Sequence, residues 1–465
     1  MTSVPGKITA AITEFTSTVG FDDIPPRVIE RAKVHILDTL GLCLAGSLTE
    51  AATVARDILP TTAPANVGST IFGTHLRAAP RFAALANAVA AHAHNFDDTT
   101  PQVQADRTGG IHASGAILPV GLALGEEYRA SGKEIITSYL TGVEVASRLN
   151  HTIAPRHYAD GFHATATLNG FGAACAAARL MKLAPKEISA AVSIAASQSG
   201  GVRRNFGSSA EIFHSGWAAE NGVVAADLAR RGISGANDAL EGPSGFFEAS
   251  GGGFDPNALI DKLGKPWIFE HPGVWIKQYP NGALTHPAAD SLLELIEQHS
   301  VHRNEITRIV VKTNERMWNT LQHHEPKTGM QAKFSMEFIL GAIIVDGSVG
   351  LDTFTDSMVA DREVRHAMTK VDYAPFAKPP TDFSNVTTLL EVHLRDGRRL
   401  SSRADHALGS TEAPLSYEQV ADKFFRCATF VGHAKEKIKL LVTQVADLEN
   451  AESPEKLVNA LISNN

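Results

Sequence analysis

Residues 82–99 read FAALANAVAAHAHNFDDT, an alanine-rich apolar run that ends in two adjacent acids. A second apolar run follows residues 112–115, which read HASG. Both runs have the composition of buried helices, so Asp97, Asp98 and His112 lie beside a helical core. Paired carboxylates next to an imidazole shift one another's pKa values and supply acids and bases that work near neutral pH. We therefore expect a catalytic site here, the alternative being a loop of solvated acids with His112 as a turn residue.

Composition limits the class of protein. The chain has 465 residues, 44% of them apolar and 20% charged, which predicts two domains rather than one. The net charge of -8 and the lack of a basic block argue against a nucleic-acid partner or an anionic membrane. Three widely separated cysteines predict buried thiols in a reducing compartment. No leader-like segment and no run of roughly 18 apolar residues is found, so we expect a cytoplasmic protein.

Helical spacing of apolar residues dominates the first half of the chain, where no strand pattern occurs. The segments that show this spacing are 26–46, 82–93, 116–130, 133–149, 165–183, 185–198 and 216–231.

The pattern changes near Trp275. Segments 306–313 and 389–401 alternate apolar and polar residues, and Asp396-Gly397 in the second is a hairpin signal. Helical patterns cover 334–345 and 362–368, and another helical pattern follows Pro414 to the end of the chain. We predict a mainly α protein in two domains. Residues 1–274 and 408–465 form an all-helical domain, and residues 275–407 form an inserted α+β domain with an antiparallel sheet.

Three further segments contain residues that transfer protons or bind anions in other proteins. Tyr158 and His163 flank Gly161, which can turn the chain so that both proton-transfer groups face one cavity. The alternative is an interface tyrosine and a hydrogen-bonded core histidine. Arg203 and Arg204 precede Asn205 in a glycine-flanked loop, where planar guanidinium groups suit a carboxylate ligand or form a surface basic pair.

The third of these segments begins at Lys277 and reaches His286 at the start of a helix. A lysine there can hold an anion, or donate a proton if burial lowers its pKa.

Several nucleotide and metal chemistries lack their sequence signatures. The chain has no P-loop, dinucleotide fingerprint, nucleophile elbow or HExxH motif. His92 and His94 point to different faces of a helix, and His323 and His324 are adjacent, so neither pair predicts a metal site. We expect no metal.

In combination, these segments resemble the MmgE/PrpD family over nearly the whole chain. The boxes that carry the resemblance are Phe96-Asp97-Asp98-Thr99, His112-Ala113-Ser114-Gly115, Gly161-Phe162-His163, His214-Ser215-Gly216, Lys277-Gln278-Tyr279-Pro280 with His286, and Ala332-Lys333-Phe334-Ser335. The resemblance implies a large all-helical domain, a smaller α+β lid, an active site at their junction, a homodimer and no organic cofactor. The family includes dehydratases, decarboxylases and epimerases of small carboxylic acids.

The resemblance also assigns residues. Thr99, His112, His163 and Lys277 match positions of the decarboxylase branch, and the pair Tyr158 and His163 matches the epimerase branch. Asn95, Glu211 and Thr320 stand where decarboxylase-like members carry an acid, a lysine and, nearby, a tyrosine. The loop at Arg203 to Gly207 is closer to the epimerase branch.

We therefore predict a lyase, a dehydratase or decarboxylase, that acts on a small di- or tricarboxylate by forming a carbanion next to a carboxylate. An epimerase of a dicarboxylate and a catalytically silent carboxylate-binding protein are the alternatives. The predicted catalytic residues are His163, Tyr158, His112, Lys277 and Asp97. The predicted substrate-binding residues are Asp98, Thr99, Arg203, Arg204, Asn205, His214 and His286.

Overall fold

The structure is a computed structural model that describes residues 7–59, 68–101, 110–378, 380–382, 384 and 386–462. Its contacts divide the chain into two compact units. The first unit comprises Met1–Ala93, Asp97–Trp275 and Ser416–Asn465, and the second comprises His94–Phe96 and Ile276–Leu415. The sequence places the borders at 275 and 407, and the identity of these units with the predicted domains stays a prediction.

The first unit is built from helices and one very short hairpin. Its helices before residue 275 are α1 Lys7–Thr18, α2 Pro26–Gly46, α3 Glu50–Asp57, α4 Pro80–His92, α5 Ser114–Tyr128, α6 Gly132–Thr152, α7 Arg156–Ala159, α8 Ala164–Leu180, α9 Pro185–Gln198, α10 Ser209–Arg230 and α11 Phe246–Gly251. The hairpin pairs strands β1 Ser69–Thr70 and β2 Arg77–Ala78.

The second unit combines helices with a four-stranded sheet. Its helices are α12 His286–Gln298, α13 Glu315–Thr320, α14 Gly329–Ala332, α15 Met336–Asp346, α16 Asp356–Ala360 and α17 Arg362–Met368. Its strands are β3 Ile306–Thr313, β4 Val371–Pro375, β5 Thr388–Leu394 and β6 Arg399–Ala404. The chain then returns to the first unit with α18 Tyr417–Phe430, α19 Lys435–Ala446 and α20 Glu455–Ala460.

Small side chains set the packing of the first unit. Helix α8 lies against α6 and α10, and almost all of its residues are buried. Gly142 of α6 and Gly172 of α8 are so close that a Cβ on Gly172 would lie 2.4 Å from the backbone oxygen of Gly142. A side chain at either position would push the two helices apart, so glycine is what permits this crossing.

The sheet of the second unit has the strand order β4-β3-β5-β6. Strands β5 and β6 form the predicted hairpin, and β3 pairs antiparallel with β5. The expectation of an antiparallel sheet is wrong for one strand, since β4 pairs parallel with β3. The sequence pattern missed β4 because its five residues are too short to show an alternation. The buried faces of α12 and α15 cover the core of this unit.

The mainly helical fold predicted from the sequence is confirmed, with the short hairpin β1-β2 as an addition to the first unit. The bounds of α2 and α9 agree with the prediction, whereas α10 begins at Ser209 instead of Gly216. This longer helix carries Glu211 and His214 into the interior. Within the described residues, no helix has both the length and the apolar character needed to cross a lipid bilayer.

Candidate active site

A buried ion-paired histidine lies at the end of α4. His92 is the last residue of that helix, and its Nδ1–H donates to Asp97 Oδ2 at 2.7 Å. Its other ring nitrogen, Nε2, lies 3.5 Å from Glu211 Oε1 on α10. All three side chains are at least nine-tenths buried. The ring is therefore held between two carboxylates, an arrangement that suits the doubly protonated imidazolium.

The electrostatic surroundings of His92 also favour its doubly protonated form. Burial alone would lower the pKa of His92, but Asp97 and Glu211 raise it to about 10. Burial would likewise raise the pKa of Glu211, and the hydrogen bond and charge of His92 instead hold it below its usual value. His92 is therefore a fixed positive charge at neutral pH.

A second histidine pair lies beside the first. His163, the residue before α8, and His214 of α10 approach one another with their Nδ1 atoms 2.8 Å apart. Burial and the charge of His92 lower the pKa of His214. The pKa of His163 is well below its usual value because burial, His92 and His214 all oppose protonation. His163 is therefore neutral where His92 is charged.

His112 completes a group of four rings in the first unit. Its ring centroid is 5.6 Å from that of His92, and the ring centroid of His163 is 6.4 Å from that of His92. We call His92, His112, His163 and His214 the histidine cluster. The Nδ1–H of His112 donates to the backbone oxygen of Asp98 at 2.6 Å. A carbonyl only accepts, so the neutral ring carries its proton on Nδ1 and its lone pair on Nε2.

The carboxylate of Asp98 is buried and engaged with protein donors. Its Oδ2 accepts from His35 Nδ1 at 2.9 Å and from the hydroxyl of Ser114. Its Oδ1 accepts from the backbone N–H of Ser114 at 3.3 Å. The next residue, Thr99, is buried, and its backbone N–H donates to the oxygen of Trp275 at 2.9 Å. These contacts fix the segment that supports His112.

The structure brings Tyr158 and Arg203 together. The backbone N–H of Arg203 donates to the oxygen of Gly161 at 2.8 Å, and that of His163 donates to Gly201 at 3.0 Å. This pairing sets the guanidinium carbon of Arg203 3.9 Å from the centroid of the Tyr158 ring. Phe206 at the end of the same loop packs edge-on against His163, with ring centroids 4.8 Å apart. The loop thus connects Tyr158 to the histidine cluster.

The residues of this loop differ in their exposure to solvent. Arg204 is exposed and Asn205 is half-buried.

Lys277 and His286 belong to the second unit. Lys277 is buried, and its ammonium donates to the backbone oxygen of Asn95 at 3.0 Å and to its side-chain oxygen at 2.5 Å. His286 shares a hydrogen bond of 2.7 Å between its Nε2 and Asn281 Oδ1. Its ring packs edge-on against Tyr279, whose hydroxyl donates to Asp290 at 2.8 Å.

Two members of the site escaped the sequence interpretation. In the sequence, His92 stands out only as half of an unconvincing metal pair, and Glu211 only as a departure from a family pattern. The signal for His92 was its place at the end of the alanine-rich helix, next to the acids. Over the described ranges, no group of three or more histidine, cysteine, aspartate or glutamate side chains is placed to hold a metal ion. Burial raises the pKa of each of the three cysteine thiols.

Comparisons with known proteins cover most of the chain. Residues 10–259 match the MmgE/PrpD N-terminal domain, and residues 279–448 match the MmgE/PrpD C-terminal domain. Cis-aconitate decarboxylase of Homo sapiens is 29% identical over 450 residues, which are 94% of this chain and 90% of that protein. The Mus musculus protein of the same name is 28% identical, with 93% and 89% covered. The one from Aspergillus terreus is 23% identical, with 90% and 88% covered.

Proposed function

Because this chain belongs to the MmgE/PrpD family, we propose that it is a lyase that acts on a small di- or tricarboxylate. The names of its relatives favour a decarboxylase, and a dehydratase uses the same type of carbanion. The observation that carries the proposal is the split in protonation within the histidine cluster. The pKa of His92 is raised to about 10, whereas the pKa of His163 is well below its usual value.

Both lyase reactions need a protonated group, and the dehydration needs an unprotonated group as well. In a decarboxylation, the bond to the departing CO₂ breaks, its electron pair stays on the carbon, and an acid supplies a proton to the product. In a dehydration, a base removes the proton next to a carboxylate, and hydroxide leaves with a proton from an acid. In the dehydration, one group must therefore be protonated and another unprotonated at the same pH.

We assign the roles accordingly. Neutral His163 is the base, His112 and Tyr158 are the further proton-transfer groups, and Asp97 keeps His92 charged. The imidazolium of His92 in turn keeps His163 neutral, because its positive charge lowers the pKa of that ring. These protein groups supply the proton donors and acceptors, so the proposal requires no organic cofactor.

Carboxylate binding falls to the cationic and polar residues. Arg203 offers a planar guanidinium at the edge of the cluster, and Arg204, Asn205, Thr99, His214, Lys277 and His286 are the other proposed contacts. Asp98 was predicted to bind substrate, but its carboxylate is engaged by His35 and Ser114. We therefore reassign it to positioning.

An epimerase of a dicarboxylate is the second candidate. The observation in its favour is the placement of Tyr158 and His163 at the two ends of one turn, with Arg203 against Tyr158. Two proton-transfer groups on opposite faces of a carbon would invert its configuration. A catalytically silent carboxylate-binding protein is the third, and turnover of any acid eliminates it.

Product analysis separates the candidates. The purified protein is incubated in deuterium oxide with cis-aconitate, 2-methylcitrate and iminodisuccinate, and the reaction is followed by proton NMR and by CO₂ release. Released CO₂ or loss of water with a new alkene supports the lyase. Inversion with deuterium at the same carbon supports the epimerase, and an inert protein with all acids contradicts both. The predicted homodimer is measured separately by light scattering.

A further inference from the structure

A chain of buried polar residues extends from Asp98 through α2 to the C-terminal helix α18. His35 of α2 donates to Asp98, and Asp38 lies one helical turn further along α2. Asp38 Oδ1 is 2.7 Å from the ammonium of Lys423 on α18. All four side chains are more than nine-tenths buried, and Asp38 interacts electrostatically with both His35 and Asp98.

On the other side, Asp98 is connected to α5 and α6. The hydroxyl of Ser114 donates to Asp98 Oδ2, and the hydroxyl of Tyr139 lies 2.6 Å from the Ser114 oxygen. Burial and the negative charge of Asp98 raise the pKa of Tyr139 well above its usual value, so Tyr139 keeps its proton. Donors from His35 and Ser114 thus contact both oxygens of the Asp98 carboxylate.

Buried charge of this kind is rarely the most stable solution. Apolar residues of similar volume would fill the positions of Lys423 and Asp38 with equal or greater stability. Asp98 contacts His112 directly, because its backbone carbonyl accepts a hydrogen bond from the Nδ1–H of His112. Anything that fixes the Asp98 side chain also fixes the direction of this carbonyl.

We propose that Asp98 is a positioning residue that holds His112 in its Nδ1–H tautomer, with His35, Asp38 and Lys423 as the buried chain that holds Asp98. The inference rests on the proposed function, because it assigns the Nε2 lone pair of His112 to proton transfer with the substrate. The other tautomer, with its proton on Nε2, would present an N–H to the substrate in place of the lone pair. Neither His35 nor Lys423 touches the substrate in this scheme.

The test uses a matched pair of variants at His35. In His35→Leu the donor to Asp98 is removed, whereas in His35→Asn the amide N–H takes the place of Nδ1–H. Nitrogen NMR of protein labelled with ¹⁵N-histidine reports the tautomer of His112, and the signal is assigned by its loss in His112→Gln. We expect the Nδ1–H tautomer in the wild type and in His35→Asn, and a mixture of tautomers in His35→Leu.

Kinetics give the second measurement. With the acid that the protein turns over, His35→Leu should lower kcat at least about tenfold and leave KM nearly unchanged, whereas His35→Asn should retain kcat. An unchanged tautomer and kcat in His35→Leu would overturn the positioning role. If His35→Leu does not fold, the double variant Asp38→Asn with Lys423→Met serves in its place, with the same expected and contradicting results. If the wild type turns over no acid, the proposed function fails, and the NMR result still decides whether Asp98 sets the tautomer.

Discussion

The Nδ1 atoms of His163 and His214 lie 2.8 Å apart in the interior of the first unit. At this distance one nitrogen must donate a proton and the other must accept it, so the two facing nitrogens hold a single proton between them. Protonation of one ring therefore depends on the state of the other, and the pair titrates as a unit. The base proposed for the reaction is one half of this pair.

Replacing that base should abolish most of the activity. We expect His163→Asn to lower kcat by about 10²- to 10⁴-fold, because asparagine cannot accept the substrate proton. The matched control is His433→Asn, since His433 is also buried but bonds the backbone oxygen of Ala460, away from the cluster. It should lower the melting temperature and retain kcat. Equal kcat in the two variants would remove His163 from the mechanism.

The charge of Glu211 should set the alkaline limit of activity. In Glu211→Gln one of the two carboxylates beside His92 is neutral, so the pKa of His92 falls and the alkaline limb of the kcat profile moves to lower pH. NMR titration of His92 measures the same shift directly. An identical alkaline limb in the wild type and Glu211→Gln would show that His92 does not limit the reaction there.

Stability should also depend on His92. Its pKa is raised from 6.5 to about 10 on folding, so its contribution is complete below about pH 6.5 and is lost as the pH rises toward 10. Urea unfolding at pH 7 to 10 should therefore show a steeper loss of unfolding free energy in the wild type than in His92→Gln. Parallel curves would mean that His92 is already neutral in the folded protein.

Arg203 should act mainly in substrate binding. A guanidinium that holds a carboxylate contributes roughly 1.5–3 kcal/mol, so Arg203→Met should raise KM at least about tenfold. Arg203→Lys keeps the charge but loses the planar stacking on Tyr158, so an intermediate KM is expected. Initial rates against substrate concentration measure both variants. A change in kcat alone would assign Arg203 to the chemical step.

Asn95 combines a backbone and a side-chain role. Its φ of 53° lies in the left-handed region, which costs ordinary residues about 1–2 kcal/mol and glycine nothing. Asn95→Ala and Asn95→Gly both remove the side-chain oxygen that Lys277 Nζ contacts, but only alanine adds the strain. We expect Asn95→Ala to unfold at lower urea than Asn95→Gly. The reverse order would show that the backbone is not strained in this way.

The sequence predicted the elements whose apolar spacing is long and regular. Helix α2 follows a proline and ends at Gly46, and α9 also begins at a proline, so their ends carry strong local signals. At the start of α10, no side chain caps the helix at Ser208. Tertiary packing decides that boundary, and it also decides whether a strand as short as β4 forms.

The site was predictable only in part, for a similar reason. Local motifs single out Asp97, His112 and His163 because charged or titratable residues stand out beside alanine-rich helices. The partner of Asp98 is His35, which lies in an amphipathic helix with an ordinary pattern, and only the fold brings the two together. The same is true of Glu211 and His92, whose approach depends on how α10 crosses α4.

The return of the chain to the first unit has a consequence for its synthesis. Lys423 reaches Asp38 from α18, and Phe424 of the same helix packs directly on Gly41 of α2. During synthesis, α2 leaves the ribosome long before Lys423 and Phe424 are made. Until then Asp38 is either solvated or in contact with other residues. The first unit can therefore assume its final form only after α18 has left the exit tunnel.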